Sequence, residues 1–140
     1  MRAWRLQDSE NGQQLSLQDV PRPEPGPGQL LVRVRAAGLN RGEFLGGHGA
    51  LPAGGAAARP VGGEAAGEVI ALGAGVDGWK IGDRVMGRCA GAFAECARME
   101  AYEAMALPEA LDWTHAAAVP LVFMVVYDIC LLYTSPSPRD

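Results

Sequence analysis

Several features that would mark a specialised protein are scarce in this chain. Its three cysteines, Cys89, Cys96 and Cys130, are too few for a disulfide-stapled secreted domain and too widely spaced for a zinc knuckle. The 12 basic residues are scattered among 16 acidic ones, so the sequence offers no basic stripe for nucleic acid. The longest apolar stretch, residues 116–127, is too short to span a bilayer, and the N-terminus carries no apolar export signal. We therefore expect a reduced, cytoplasmic protein with neither nucleic acid nor membrane as partner.

What the sequence does contain is glycine and proline, 19 and 10 of its 140 residues, which favours turns and short strands. Alternation of apolar and polar residues predicts two long strands, Gln29–Ala37 and Glu64–Leu72. Shorter strands are predicted at turn-punctuated intervals, over residues 3–6, 15–20, 84–87, 92–97 and 102–106. Residues 40–45 could form one helical turn, and 46–63 read as a loop. The predicted fold class is mainly β, a small barrel or sandwich.

Helical character is predicted only after Pro108. Asp112 is expected to cap a helix that starts at Trp113, because its carboxylate can accept from free amides of the first turn. Pro120 lacks the amide donor that a helix interior needs, so it should kink or restart the helix. The apolar segment that follows would expose its face to water unless a neighbouring domain covers it.

Six motifs run in order through the chain. They are PGPGQLLVRV (25–34), AAGLN (36–40), GEAAGEV (63–69), LGAGV (72–76), KIGDRV (80–85) and GAFAEC (91–96). Through them the chain resembles the zinc-free quinone-oxidoreductase branch of the medium-chain dehydrogenase/reductase superfamily. The resemblance implies a GroES-like catalytic barrel over residues 1–108 and, over 109–129, the start of a linker helix towards a Rossmann domain that this chain does not include.

The resemblance also bears on metal binding. In the alcohol-dehydrogenase branch a cysteine and a histidine donate to catalytic zinc at the positions that Asn40 and Gly63 occupy here. An amide is a poor zinc donor and glycine has no side chain, whereas catalytic zinc needs three protein ligands. We therefore predict no metal. Without that Lewis acid, hydride should pass to an acceptor that is already electrophilic, a quinone or an α,β-unsaturated carbonyl.

Site residues follow from the same resemblance. Asn40 is expected to position substrate and nicotinamide, His48 to donate a proton, and Val125 to lie near the cofactor, where many relatives carry threonine. Each has a simpler alternative: a turn-capping amide for Asn40 and a solvated ring for His48. Active-site lining is expected from Glu43, Phe44 and Glu64, although a loop role for Glu43 and a packing or hydrogen-bonding role for Glu64 remain open.

The expected cofactor is NADPH, the expected substrate a small quinone or enone, and the parent protein a homodimer, all by family resemblance. No dinucleotide-binding glycine motif occurs in the chain. Residues 73–78 have glycines in first, third and sixth place, but they are predicted to join two strands and to open no helix, so they form a turn and not a phosphate loop.

The last eleven residues, CLLYTSPSPRD (130–140), resemble the in-frame translation of a transposase sequencing adapter. We therefore expect that the chain is truncated and that this part alone is inactive. Two other functions remain open. One is a non-catalytic structural or binding protein on the same GroES-like barrel; the other is an enoyl reductase of polyketide synthesis, acting in trans because the chain starts at Met1, just before its first strand.

Overall fold

The computed structural model describes residues 1–9, 12–44 and 58–132. Eight strands come first, interrupted by one 3₁₀ turn, and helices close the described chain. The strands are β1 (Arg2–Ser9), β2 (Gly12–Asp19), β3 (Gln29–Ala37), β4 (Arg59–Pro60), β5 (Glu64–Leu72), β6 (Arg84–Ala90), β7 (Cys96–Glu100) and β8 (Met105–Ala106). The 3₁₀ turn is Arg41–Phe44, and the helices are α1 (Trp113–Ala117), α2 (Pro120–Tyr127) and a π-helical turn, Asp128–Leu132.

Four strands close into a small barrel. β3 pairs with β5 and β7, and β6 pairs with β7 and β5, so the ring runs β5-β3-β7-β6 and returns to β5. β8 extends it beside β6, while β2, β1 and β4 form a separate three-stranded sheet. The Trp4 amide donates to the Phe93 carbonyl at 2.8 Å and links that sheet to the barrel. The predicted fold class, a mainly β chain with a small closed barrel, is confirmed.

The described residues form two apolar clusters. The first lies inside the barrel and consists of Leu30, Val32, Val69, Val85 and Met99, contributed by all four ring strands. The second lies where α1 packs on the barrel, and its members are Ala66, Met86, Leu107, Ala116 and Ala117. Burial of apolar surface is the main driving force of such packing, and it fixes the direction in which the chain leaves the barrel.

The short strands differ most from the sequence-based expectation. β7 begins at Cys96 and not at residue 92, because the amides of Gly91 and Ala92 both donate to the Gly62 carbonyl in a loop. The predicted strand 102–106 is reduced to β8, since residues 101–103 form a turn. β4 lies inside the predicted loop 46–63, pairing antiparallel with β1. The first and third differences arise from contacts distant in sequence, whereas the second arises from a local turn in which the Glu103 amide donates to the Glu100 carbonyl.

The helical end follows the predicted signals. Asp112 Oδ1 accepts from the His115 amide at 2.9 Å, which confirms the N-cap, and a second helix starts at Pro120. Most of this segment is exposed, with Phe123 at 63% and Ile129 at 62%. None of the helices within the described ranges is long and apolar enough to cross a bilayer.

Candidate active site

The site lies where β3 ends and β5 begins. Antiparallel pairing sets Ala37 opposite Ala65, and the Gly38 amide donates to the Glu64 carbonyl at 3.2 Å. Gly38 has to be glycine here, because a Cβ would collide with the Glu64 carboxylate. The turn that follows β3 therefore passes directly over the Glu64 side chain.

Glu64 is the most deeply buried charged residue of the described chain, with 1% of its surface exposed. Its Oε1 accepts from Asn40 Nδ2 at 2.7 Å, and its Oε2 accepts from the Leu121 amide at 2.7 Å. A buried carboxylate is costly unless it is hydrogen-bonded, and here each oxygen has an N–H partner. Glu64 thus joins the turn after β3 to the first turn of α2.

Glu43 is the second buried acid of the site, 8% exposed. Its amide donates to the Asn40 carbonyl at 3.2 Å, which forms the 3₁₀ turn, and its Oε1 accepts from the Gly63 amide at 2.8 Å. Its Oε2 is buried and accepts no hydrogen bond of ordinary geometry from the described residues. Burial, aided by the nearby Glu64 charge, raises the Glu43 pKa above its ordinary value against the opposing effect of the Gly63 and Asn40 N–H groups.

A cavity of about 650 Å³ opens beside these residues. Asn40, Glu43 and Leu121 line it, and the exposed Arg41 and Arg88 are among its other lining residues. One stretch of its wall is main chain, contributed by the glycines at positions 62, 63 and 91. Such a cavity is in the size range of small-molecule sites.

Cys89 also lines this cavity, although sequence reasoning had not singled it out. Burial, with smaller contributions from Glu64 and Glu43, raises the pKa of its thiol to about 12. A thiol with that pKa stays neutral at physiological pH and is a poor nucleophile. No sequence signal pointed to it, because it becomes a cavity residue only through the pairing of β6 with β5.

The predicted site residues divide into three groups. Asn40 and Glu43 line the cavity and are joined by a backbone hydrogen bond, whereas Glu64 is hydrogen-bonded to Asn40 and is not among the lining residues. Val125 is on α2 and 47% exposed, while Leu121 of the same helix lines the cavity. Phe44 belongs to the 3₁₀ turn, but its side chain lies outside what the structure describes, as does the whole of His48.

The surroundings of Gly63 bear on the prediction that no metal is bound. Gly63 has no side chain to donate, and a Cβ there would lie 3.3 Å from Glu43 Oε1, so the neighbouring acid occupies the adjoining space. In the described ranges, no three His, Cys, Asp or Glu side chains are grouped so that they could hold a metal ion.

The glycines at 73–78 form the predicted turn between β5 and β6. The Gly73 amide donates to the Gln29 carbonyl at 2.8 Å, and a Cβ on Gly73 would collide with the Gly26 carbonyl. Gly75 has φ +73°, a conformation that glycine adopts without strain. The next element is a strand and not a helix, so Gly73 is explained by close packing against the connector between β2 and β3, and Gly75 and Gly78 by their positive φ.

The sequence matches a known protein family and several characterised relatives. The sequence profile of the alcohol dehydrogenase GroES-like domain matches residues 26–109. The chain is 38% identical over 128 residues to the pikromycin polyketide synthase component PikAII of Streptomyces venezuelae, covering 86% of this chain and 3% of that protein. It is 32% identical over 141 residues to the trans-enoyl reductase fsr4 of Gibberella fujikuroi, covering 91% of this chain and 39% of that protein.

Solved structures share the fold. The human synaptic vesicle membrane protein VAT-1 homolog-like protein superposes with a TM-score of 0.78 at 32% identity, covering 94% of this chain and 43% of that one. The Escherichia coli quinone oxidoreductase, solved in complex with NADPH, gives a TM-score of 0.77 at 25% identity, covering 92% and 40%. The chain spans less than half the length of each of these four proteins.

Proposed function

Because the chain belongs to the alcohol dehydrogenase GroES-like domain family of the medium-chain dehydrogenase/reductase superfamily, we propose that it is the catalytic domain of an NADPH-dependent oxidoreductase. The acceptors that we propose are quinones or α,β-unsaturated carbonyls, reduced without zinc. The observation that carries this proposal is the pairing of Asn40 with a buried acid, Glu64, at the edge of a cavity that could admit a small molecule. The catalytic domain would extend over residues 1–108, with 109–129 leading towards a nucleotide-binding domain.

The residues present fit the nicotinamide end of the cofactor. Asn40 offers a polar amide in a cavity of about 650 Å³, and α2 borders that cavity through Leu121. The described residues include no glycine turn that opens a helix, which is the feature that would hold the phosphates. When bound, NADPH supplies the hydride. The part of this chain is to hold the nicotinamide ring and the acceptor in register and to exclude water from them.

The donor chemistry at two positions supports a zinc-free reaction. Asn40 carries an amide where zinc-dependent relatives carry a thiolate, and Gly63 carries nothing where they carry imidazole. An unactivated carbonyl would then lack the polarisation that zinc provides. Quinones and enones need less polarisation of their carbonyl groups, because conjugation already makes them electrophilic.

Reduction of either acceptor consumes one proton for each hydride. Glu43 is an acid that lines the cavity, and its pKa is raised by burial, so it is the described group best suited to hold that proton. The Gly63 amide fixes its Oε1, so the proton would reside on Oε2. His48 is the alternative donor expected from the sequence.

The test is an assay of the complete reading frame that contains this chain. With a quinone as acceptor we expect NADPH oxidation at a rate that a metal chelator does not lower. Replacing Asn40 by Ala should lower kcat/KM about a hundredfold, the order expected when a positioning contact is lost. Gln18→Ala, on β2 of the separate sheet, is the matched control. Loss of activity on chelation would contradict the zinc-free reaction.

A second function, enoyl reduction, is favoured by the similarity to the trans-enoyl reductase fsr4. Both reactions add hydride to a conjugated system, and the same residues would position the acceptor. Parallel assays with a quinone and a 2-enoyl thioester separate them, because the larger kcat/KM identifies the acceptor class. If the complete protein turned over neither, the remaining alternative would be a non-catalytic GroES-like binding protein.

A further inference from the structure

The Glu64 carboxylate contacts two parts of the molecule that are far apart in sequence. Asn40 lies 24 positions before it and Leu121 lies 57 positions after it, and each donates an N–H to a different oxygen at 2.7 Å. The two contacts satisfy the buried carboxylate, and they also join the turn after β3 to the start of α2. Gly38 leaves the space that this carboxylate occupies, since any side chain there would displace it.

We propose that Glu64 is a positioning residue: it turns the Asn40 amide so that the carbonyl oxygen, and not the nitrogen, is presented to a bound ligand, and it ties this orientation to α2. The identity of the ligand depends on the proposed function, whereas the orientation itself does not. Asn40 is the residue that meets the ligand, and Glu64 acts through it.

The orientation follows from the chemistry of the pair. A carboxylate oxygen that faces an amide accepts, so the Asn40 nitrogen must point towards Glu64. The amide oxygen and nitrogen diverge from one carbon, and Oδ1 is therefore directed away from Glu64. A ligand that meets this oxygen has to bring a hydrogen-bond donor. The primary carboxamide of a nicotinamide ring has one, whereas the bare carbonyl of an oxidised quinone does not.

The link to α2 follows from the helix start. Proline occupies the first position of α2 and has no N–H, so the Leu121 amide is the first donor of the helix that needs a partner. Val119, the N-cap residue, makes no side-chain cap, and Glu64 Oε2 supplies the missing acceptor from the barrel. A displacement of α2 would therefore pull on the carboxylate that holds Asn40.

The experiment is nuclear magnetic resonance on this chain labelled with ¹⁵N and ¹³C. We expect scalar couplings across two hydrogen bonds, from the Asn40 side-chain nitrogen and from the Leu121 amide nitrogen to the Glu64 carboxyl carbon. Glu64→Gln should shift the Asn40 side-chain signals and speed hydrogen exchange of the Leu121 amide about tenfold, the effect of losing one hydrogen bond. Glu68→Gln is the matched control, because Glu68 is on the same strand but pairs with the exposed Arg35.

Unchanged Asn40 side-chain signals in a folded Glu64→Gln protein would show that Glu64 does not hold the amide, and that result would overturn the proposal. If this variant does not fold, the wild-type couplings decide, and absence of the coupling from Asn40 would overturn it. These measurements need neither cofactor nor turnover. A complete protein that fails to oxidise NADPH would thus refute the proposed function while leaving this inference standing, and the reverse holds as well.

Discussion

The guanidinium of Arg84 stacks on the Trp113 ring, with its central carbon 4.5 Å from the ring centroid. The same side chain donates from Nη2 to the Leu111 carbonyl at 3.0 Å. Arg84 begins β6 and Trp113 begins α1, so one residue holds the helix start against the barrel edge. The direction in which the chain leaves the barrel depends on this pair together with the buried alanines of α1.

Replacing Arg84 by Ala should destabilise the fold by about 2 kcal/mol, because a partly buried cation–π contact and a charged hydrogen bond are lost together. The measurement is the urea-induced unfolding free energy at pH 7. Arg88→Ala removes an exposed arginine from the same strand and should change that free energy little. Equal losses in the two variants would show that the stacking contributes nothing.

Gly38→Ala should destabilise the protein by about 1–3 kcal/mol, as expected when a buried contact is overpacked. The added methyl group would meet the Glu64 carboxylate, whose position the Asn40 and Leu121 hydrogen bonds fix. Gly63→Ala is the comparison, since there the methyl group would lie 3.3 Å from Glu43 Oε1 and needs only a small adjustment. Thermal denaturation of both variants gives the ranking, and a more damaging Gly63→Ala would contradict it.

Glu43 should make the protein less stable as pH rises. Its folded pKa lies above its ordinary value of 4.5, so its favourable contribution is complete below that value and is lost as pH rises through the folded pKa. Glu43→Gln keeps an oxygen for the Gly63 amide but cannot ionise. We expect this variant to gain stability relative to wild type as pH increases from 4.5 to 7.

The difference between the two urea-unfolding curves isolates Glu43 from other acids. Asp112 and Glu95 act in the opposite direction: hydrogen bonds from the His115 amide and from the Arg2 amide, respectively, lower their pKa values, and that stabilisation is lost as pH falls. Both acids are present in both proteins, so their contributions cancel. A stability difference independent of pH would show that the burial of Glu43 does not perturb its ionisation.

Alkylation should distinguish the cysteines. With a pKa of about 12, Cys89 has only about one thiolate in ten thousand molecules at pH 8, so iodoacetamide should modify it slowly. The exposed Cys130 should react first, and the buried Cys96 should resist by lack of access. Peptide mass spectrometry over a time course gives the order, and addition of urea should remove the differences. Rapid labelling of Cys89 in the folded chain would contradict its neutral state.

The sequence-based prediction succeeded where the signal is local. Strands Gln29–Ala37 and Glu64–Leu72 have the predicted bounds, because alternating side chains and flanking glycines are written into consecutive residues. The cap at Asp112 and the restart at Pro120 are equally local, since one depends on a carboxylate three residues from its amide and the other on a missing donor.

The sequence-based prediction was incomplete where the deciding contact joins residues that are far apart in the sequence. The two-residue β4 exists because it meets β1, more than fifty positions earlier, and nothing in its own residues predicts a strand. The resemblance assigned Asn40, Glu43 and Glu64 to one site, but their hydrogen bonds could not be derived from spacing. The Leu121 contact was missed for the same reason: it requires α2 to fold back onto the barrel.

The glycines at 62, 63 and 91 limit how substitutions can change the size of the cavity. A Cβ on Gly62 would meet the Phe93 amide nitrogen at 2.7 Å, and Gly91 has φ +80°, so neither position tolerates a side chain easily. Backbone atoms cannot be trimmed by substitution. Any change there can only make the cavity smaller, so a bulkier ligand would have to be admitted by shortening a side chain elsewhere on the wall, such as Leu121 on α2.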